Sequence, residues 1–394
     1  MQLNKNITAV VCGDITAALN RRRELMSLLQ ERSEQSFFFC PDAKQEHLNT
    51  IESLGYEVEI AQNNKQSLNI FADIGYVLKL FRRLNELKPE HVFVFHIKQI
   101  VYTGIICRLL GIQYHVLFAG LGILFADQAD FKNRIIKFAA SKLLKFALKD
   151  ANTVFFQNPD DPGTFEKLKI LTNNDNTAVV NGSGVSLTHF SSCPPTNPKP
   201  IVFTCITRMI REKGLYDYYE AAKTIKQRWG DEVVIQLIGP FDANPNSISR
   251  EVVDQWDKEG IIDYLGETGD VRPYLANSSV FVLPSYYMEG TPKIILESLA
   301  IGRAIITTNS RGCKETVENG VNGYLIDPRD VQGLIESMDN YMKDRTLHVT
   351  HGKNSRILAE RRYDVKKVNR TMLRAMGMNK KSAKKLRIIS SSAA

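Results

Sequence analysis

The chain has 394 residues, enough for two domains of ordinary size and too many for one small core. Apolar residues make up 43% of it and charged residues 24%, a balance that excludes a disordered or fibrous protein. The formal net charge of +8 favours an anionic partner.

The beginning of the chain passes from a short polar lead directly into a β-branched strand, without an apolar stretch typical of a secretory signal. No run approaches the ~20 apolar residues that span a bilayer. The six cysteines stand singly, without the paired spacing of a zinc site. These features predict a cytoplasmic protein without structural zinc.

The first half alternates short β-rich runs with helical segments. This alternation predicts a parallel α/β sheet with helices on its faces. The runs are ITAVVC, SFFFC, EVEI, HVFVFH, QYHVLF, NTVFFQN and NTAVV.

A lysine-rich helix is predicted within residues 131–150, with Ile136, Ala140, Leu143 and Ala147 as its apolar stripe. Two interpretations stay open. The helix lies on an anionic membrane surface, or it packs on the sheet with a solvated basic outer face.

A proline-rich segment then separates a second series of runs: IVFTCIT, EVVIQLIG, IIDYLG, SVFVLP, AIITT and GYLI. The sequence therefore predicts an α/β fold of two Rossmann-like doubly wound domains that face a cleft. The predicted divisions are a first domain (1–190), a linker (191–200), a second domain (201–350), C-terminal helices that pack back across the domains (351–379) and a basic flexible tail (380–394).

Two glutamates stand eight positions apart in PSYYMEGTPKIILESLAIG, across a strand end, a loop and a helix start. A helix that begins at the carboxyl edge of a sheet presents unpaired N–H groups to an anionic ligand. Glu289 is predicted in the loop beside that ligand and Glu297 in the helix, where a carboxylate can accept hydrogen bonds from a ribose. Pro292 suits the first helical turn.

A basic pair follows the first strand of the second half, in TRMIREKGLYDYYEA. Arg208 and Lys213 stand in the loop, and Gly214 precedes an amphipathic helix. Two cations and a helix N-terminus can converge there on one phosphate group.

These motifs resemble the family-four retaining glycosyltransferases of the GT-B fold, and they run in family order over the whole second half. Parts of the first half, including FAGLGILF and VFFQNPDD, resemble the branch that builds bacterial surface polysaccharides and lipid-linked oligosaccharides. The other matching segments are NGSGVSLTHF, TRMIREKG, LIGPFDANPNSIS, YLGETGDVRPYL, the glutamate block and GCKETVENGVNGYLIDPRD.

The resemblance implies a nucleotide-sugar-binding second domain and an acceptor-binding first domain. Arg208 and Lys213 would bind the donor diphosphate and neutralise the leaving group. Glu297 would bind the ribose hydroxyls. Glu289 would contact the donor sugar near its reacting carbon. Backbone groups would contribute at Gly290 and Thr291 to the sugar and at Gly13 to the approach of the diphosphate.

Two departures from the family pattern concern the first domain. Its first loop reads CGDITAAL, with a single glycine, and Ala119 and Gly120 stand where many relatives have a histidine. His96 at the end of one strand and Lys98 just beyond it are the acceptor-side candidates. His115, inside the next strand, is the weaker one because a strand histidine is usually a satisfied core residue.

The resemblance implies transfer of a hexose or N-acetylhexosamine from a UDP-sugar to a glycan on a polyprenyl diphosphate, with retention of configuration. We expect no cofactor and no metal, an anionic membrane surface as a further partner, and action on the inner face of the cell membrane. Nucleic acid is not expected, because no binding motif is visible. Two alternatives stay open: a non-catalytic GT-B subunit that binds a glycan or a partner, and a nucleotide-sugar isomerase. The first loop lacks the GxGxxG of a nicotinamide enzyme.

Overall fold

A computed structural model describes residues 6–41, 43–60, 70–121, 131–171, 176–193, 200–242, 246–287 and 289–379. The first half of the chain forms a parallel sheet with the strand order β3-β2-β1-β4-β5-β6-β7 among the described residues. Its strands are β1 (Ile7–Val11), β2 (Gln35–Cys40), β3 (Glu57–Ile60), β4 (His91–Phe95), β5 (Tyr114–Phe118), β6 (Thr153–Phe156) and β7 (Thr177–Val179).

Helices cover both faces of this first sheet. The continuous apolar strands, such as HVFVF and YHVLF, are buried on both sides, as parallel strands usually are. The helices are α1 (Ile15–Gln30), α2 (Gln45–Ser53), α3 (Ile70–Leu87), α4 (Ile97–Leu110), α5 (Phe131–Leu148) and α6 (Asp160–Lys167). One face packs against α3, α4 and α5 and the other against α1 and α2.

The second half repeats the architecture, with the strand order β10-β9-β8-β11-β12-β13 among the described residues. Every strand pair in it is parallel. Its strands are β8 (Ile201–Ile206), β9 (Val233–Ile238), β10 (Asp263–Tyr264), β11 (Val280–Leu283), β12 (Ala304–Thr308) and β13 (Gly323–Ile326). Its helices are α7 (Leu215–Trp229), α8 (Arg250–Lys258), α9 (Arg272–Asn277), α10 (Lys293–Ile301) and α11 (Val331–Lys343).

Two further helices end the described chain, α12 (Leu347–Leu358) and α13 (Val365–Ala375). Helix α12 packs against α10 and β12 in the second half. Helix α13 instead packs on the first half, where Met372 and Leu373 share a core with Leu25 and Met26 of α1. The chain thus crosses from one half to the other between α12 and α13.

The structure confirms the predicted fold class, since each predicted strand run is a strand and both sheets are doubly wound. One local detail differs: Pro292 caps α10, and the helix begins at Lys293. The linker at 191–200 lies partly outside the described residues and the tail at 380–394 wholly outside them, so both stay predictions. None of the described helices has the length and apolarity to cross a membrane.

Candidate functional site

The predicted site residues lie where the strand order of each sheet reverses. This reversal falls between β1 and β4 in the first sheet and between β8 and β11 in the second. The loops after these four strands carry Gly13, His96, Arg208 with Lys213, and Glu289. Ligands of doubly wound sheets bind in the crevice outside the carboxyl ends of the strands at such a point.

A cavity of about 340 Å³ lies between the two halves at this position. The first half contributes the start of α4 and the β5 loop, and the second half contributes the loops after β8 and β11. Polar and glycine residues of its lining include Arg21, His96, Gly120, Arg208, Tyr287, Glu289, Gly290, Thr291 and Lys293. The structure therefore brings His96, Arg208 and Glu289, which are far apart in the sequence, around one space.

Lys213 and Glu289 form an ion pair beside this cavity. Lys213 ends a short 3-10 turn, Arg211–Lys213, and Gly214 follows in the left-handed conformation. The lysine is 6% exposed, and its Nζ donates to Oε1 of Glu289 and lies 5.3 Å from the centre of the Tyr287 ring. A buried ammonium needs a paired anion, so the glutamate holds the lysine charge in place.

Arg208 is the exposed member of the basic pair. Its side chain is about half exposed, and Nη1 donates to Oδ2 of Asp242 at 2.6 Å. Asp242 follows β9 and was not predicted as a site residue. The bond to the carboxylate orients the guanidinium within the cavity lining.

Glu297 is buried in α10, and burial raises its pKa above the usual glutamate value. Two cations oppose that shift. Lys293 lies 3.2 Å from the Glu297 carboxylate, and Arg21 of α1 acts on it through its charge. Lys293 also donates to the backbone oxygen of Asn20, so this cluster joins α10 to α1 of the first half.

The loop from Glu289 to Thr291 contacts the first half directly. The Gly290 N–H donates to the Ala119 oxygen at 3.1 Å, and the Thr291 hydroxyl donates to the Gln157 oxygen at 3.0 Å. A Cβ on Gly290 would lie 2.6 Å from the Ala119 oxygen. The backbones of Gly290 and Thr291 were predicted to contact the donor sugar. In this structure the Gly290 N–H instead forms a contact between the two halves.

Gly13 and His96 contact each other at the ends of the neighbouring strands β1 and β4. The Gly13 N–H donates to Nδ1 of His96 at 3.0 Å, which in a neutral imidazole leaves the proton on Nε2. His96 has φ of +78°, a strained conformation for a residue with a side chain, and such strain concentrates at functional sites. Gly13 itself lies against Gln99, whose Oε1 would be 2.5 Å from an added Cβ.

The other acceptor-side candidates lie away from the cavity lining. The Lys98 ammonium is paired with buried Asp73 of α3 at 2.7 Å. His115 lies in the core, where its Nε2 is 3.2 Å from Nδ1 of His91, and burial lowers the pKa of His115 to about 3. Among the described candidates His96 is therefore the one that faces the cavity. No group of three or more His, Cys, Asp or Glu side chains in the described chain could hold a metal ion.

The second half of the chain is similar to a known protein family. Residues 200–344 match the family described as glycosyl transferases group 1. A transferase of Campylobacter jejuni, N,N'-diacetylbacillosaminyl-diphospho-undecaprenol alpha-1,3-N-acetylgalactosaminyltransferase, is 27% identical over 85% of this chain and 89% of its own length. The Escherichia coli UDP-Gal:alpha-D-GlcNAc-diphosphoundecaprenol alpha-1,3-galactosyltransferase is 25% identical over 74% of this chain and 76% of its own.

Solved structures share the whole architecture. Anabaena HepE in complex with UDP superposes with a TM-score of 0.76 over 94% of this chain and 99% of its own, at 16% identity. A glycosyltransferase from Rickettsia africae superposes with a TM-score of 0.75 over 96% of this chain and 100% of its own, also at 16% identity. Both halves therefore have the arrangement of these proteins.

Proposed function

We propose that this chain, a glycosyltransferase of the GT-B fold, transfers a hexose or N-acetylhexosamine from a UDP-sugar to a glycan on a polyprenyl diphosphate. The names of two similar transferases specify acceptors linked to diphospho-undecaprenol, and one names UDP-Gal. The observation that carries the proposal is the convergence of Arg208, the Lys213–Glu289 pair and His96 on one cavity between two doubly wound sheets.

The donor diphosphate binds at the loop after β8 in this proposal. Arg208 and Lys213 provide two positive charges there, and the positive end of α7 begins immediately after Gly214. When the bond from the sugar to the diphosphate breaks, the leaving group gains negative charge that these groups stabilise. They supply the charge that a divalent cation supplies in metal-dependent transferases, so the reaction needs no added metal.

The sugar lies near Glu289, and the transfer retains configuration. The names of both similar transferases give alpha-1,3 linkages, and an α-linked donor that yields an α-glycoside reacts with retention. In front-face attack, a donor phosphate oxygen accepts the proton of the attacking hydroxyl. The Glu289 carboxylate stabilises the positive charge that develops on the sugar ring.

The acceptor approaches from the first half. His96 is poised there to orient it, because its Nε2–H is directed by the bond from Gly13 to Nδ1. A lipid-linked acceptor places the reaction at a membrane surface, so the protein acts peripherally on the inner face of the cell membrane.

The proposal is tested by binding and transfer. Thermal shifts are measured with UDP, GDP, ADP and their sugars in the presence of a chelator, and transfer is then measured to a prenyl-diphosphate-linked sugar. We expect one UDP-sugar to stabilise the chain and an α-anomeric proton in the NMR spectrum of the product. Absence of nucleotide binding would support a non-catalytic subunit, and conversion of the donor without acceptor would support an isomerase.

Replacing Arg208 by alanine should lower kcat about a hundredfold, because one charge-assisted contact to the leaving group is worth ~3 kcal/mol. Arg211→Ala is the matched control. Arg211 is an exposed arginine of the same loop whose guanidinium lies 5.6 Å from the centre of the Tyr216 ring, and it is not part of the cavity lining. Equal losses in the two variants, measured by steady-state kinetics, would argue against a specific role for Arg208.

As the pH is lowered, UDP binding should weaken at a higher pH than it would if Glu297 had the usual glutamate pKa. The ionised Glu297 carboxylate accepts the ribose hydroxyls, and its pKa is raised by burial, so protonation begins above the usual range. Glu297→Gln should weaken UDP binding about tenfold at neutral pH and flatten its pH dependence.

The raised pKa of Glu297 affects folding in the opposite direction: acidification weakens UDP binding but strengthens the contribution of Glu297 to folding stability. A raised carboxyl pKa favours the native state at low pH and loses that contribution as the pH rises through the folded value. Glu297→Gln should therefore not destabilise the chain at neutral pH. Titration calorimetry and urea unfolding check both effects. Glu336→Gln, on the exposed side of α11, should change neither; an unaltered pH profile for Glu297→Gln would contradict the ribose role.

A further inference from the structure

Large apolar side chains are exposed on the helices along one face of the first sheet. On α3 these are Ile74, Leu78 and Phe81, which are 46%, 63% and 37% exposed. The spacing of four and three residues places them on one side of the helix. The opposite side is packed, with Tyr76, Leu80 and Leu84 in the core.

Helix α5 exposes a similar row. Ile135, Phe138, Leu143 and Phe146 are between 46% and 65% exposed, while Leu144 and Leu148 are buried against the sheet. Leu143 of the predicted apolar stripe therefore points outward, whereas Ala147 of the same stripe is buried.

The same outer side carries the exposed lysines Lys142 and Lys145 of α5 and Lys149, which directly follows the helix end. The Lys142 ammonium lies 5.3 Å from the centre of the Phe138 ring, and the Arg108 guanidinium lies 4.2 Å from that of Phe146. Cations and aromatic rings are thus interleaved on one face, which is typical of helices that lie at a bilayer interface.

The two helices belong to one surface, because α4 packs against both α3 and α5 on the same side of the sheet. We call this the α3–α5 surface. It consists of Ile74, Leu78, Phe81, Leu109, Ile135, Phe138, Leu143 and Phe146 with Lys142, Lys145 and Lys149.

The α3–α5 surface begins close to the cavity. In a βαβ unit the helix starts at the carboxyl edge of the sheet, and the Lys98–Asp73 pair joins the starts of α4 and α3 there. Ile74 and Ile135 each stand four residues into their helices, ~6 Å from the ends that face the cleft. A bilayer on this surface would therefore lie beside the cleft opening.

We propose that the α3–α5 surface docks on an anionic lipid bilayer, with the apolar side chains among the acyl chains and the lysines at the headgroups. Contiguous exposed apolar side chains mark an interaction site, and lysines are attracted by an anionic leaflet. A second copy of this chain is the less suitable occupant. A twofold interface would place the lysine-rich helices against each other, and like charges repel. The proposal names the surface through which the protein would associate with the membrane. It rests on the proposed function only for the orientation of the protein at that membrane.

Flotation with vesicles tests the docking. Wild-type protein should bind vesicles of phosphatidylcholine with phosphatidylglycerol more tightly than vesicles of phosphatidylcholine alone. Removal of the three lysine charges should lower partitioning to the anionic vesicles about a hundredfold, since each lysine contributes about fivefold. The test variant is Lys142→Gln with Lys145→Gln and Lys149→Gln; its charge-matched control in the second half is Lys223→Gln with Lys258→Gln and Lys353→Gln.

A second pair of variants tests the apolar part. The test set is Leu78→Ser with Phe138→Ser and Leu143→Ser. The control set, from exposed apolar residues of the second half, is Leu265→Ser with Val321→Ser and Ile357→Ser. The test set should lower partitioning to anionic vesicles by about tenfold or more, and the control set should not. Equal binding by test and control variants would overturn the proposal. So would a wild-type dimer in solution that the apolar test set converts to a monomer without any change in vesicle binding.

Transfer to a short-chain, water-soluble prenyl-diphosphate acceptor tests the proposed function separately from the docking surface. Full activity on that acceptor combined with no vesicle binding would overturn the docking surface and leave the proposed function intact. Vesicle binding by the α3–α5 surface without any transfer would support docking and contradict the proposed function.

Discussion

Lys213→Met should lower kcat by 10² to 10³, the range seen on removal of a group that stabilises developing charge. The loss should exceed that for Arg208, because Lys213 is 6% exposed whereas the Arg208 side chain is 49% exposed. Charges separated from water interact more strongly, so the buried ammonium carries more of the stabilisation. UDP affinity should fall by less, about tenfold, since the leaving group gains its extra charge only as the bond breaks. Single-turnover kinetics and titration calorimetry measure the two quantities.

A purely structural role for Lys213 predicts a different pattern. Removal of the lysine leaves Glu289 without its counterion, and loss of one partner of a buried pair costs about 3–5 kcal/mol of stability, somewhat less here because Glu289 is partly exposed. The double variant Lys213→Met with Glu289→Gln removes both charges and should recover most of that stability. Its kcat should stay low if both groups act on the substrate. Recovery of kcat together with stability would reduce the pair to a structural element.

The sequence predicts the site as a set of loops because parallel sheets leave few choices. Once β1, β4, β8 and β11 are recognised as strands, their loops fall at the two points where strand order reverses. The basic pair and the glutamate are local to those loops. Their convergence therefore follows from topology without knowledge of any side-chain contact.

Contacts between elements that are distant in the sequence could not be predicted in this way. Arg21 reaches the cavity from α1, and its signal in the sequence is only one arginine of a run of three. Lys98 follows His96 by two residues, yet its ammonium pairs with Asp73 on another helix. The predicted stripe of α5 is divided in the structure, with Leu143 exposed and Ala147 buried, because two stripes of that helix are apolar and only tertiary packing selects the buried one.

The loop that carries Glu289 packs against a glycine that is not part of the lining of the cavity between the halves. Gly312, in the GCKE segment, has φ of +78°, and a Cβ there would lie 1.6 Å from the Gly290 oxygen. Gly312→Ala must displace the loop, which in turn breaks the contact of the Gly290 N–H with Ala119. We expect a loss of about 2–5 kcal/mol in unfolding free energy, from positive φ and overpacking together. We also expect kcat to fall about a hundredfold, because a shift of ~1 Å in a positioned group has that effect.

Gly320→Ala separates loop displacement from backbone strain. Gly320 belongs to the same segment and has φ of +74°, but an added Cβ would meet no atom within 4 Å. This variant should lose only the ~1–2 kcal/mol of the left-handed conformation and keep its kcat. Urea unfolding and kinetics on the folded fraction compare the pair. If Gly312→Ala is destabilised but retains kcat, the loop position does not limit transfer. If kcat falls in Gly312→Ala alone, the geometry of the donor site depends on the contact of Gly312 with the Gly290 backbone. The hydrogen bond from Gly290 to Ala119, which joins the two halves, is then part of the catalytic arrangement.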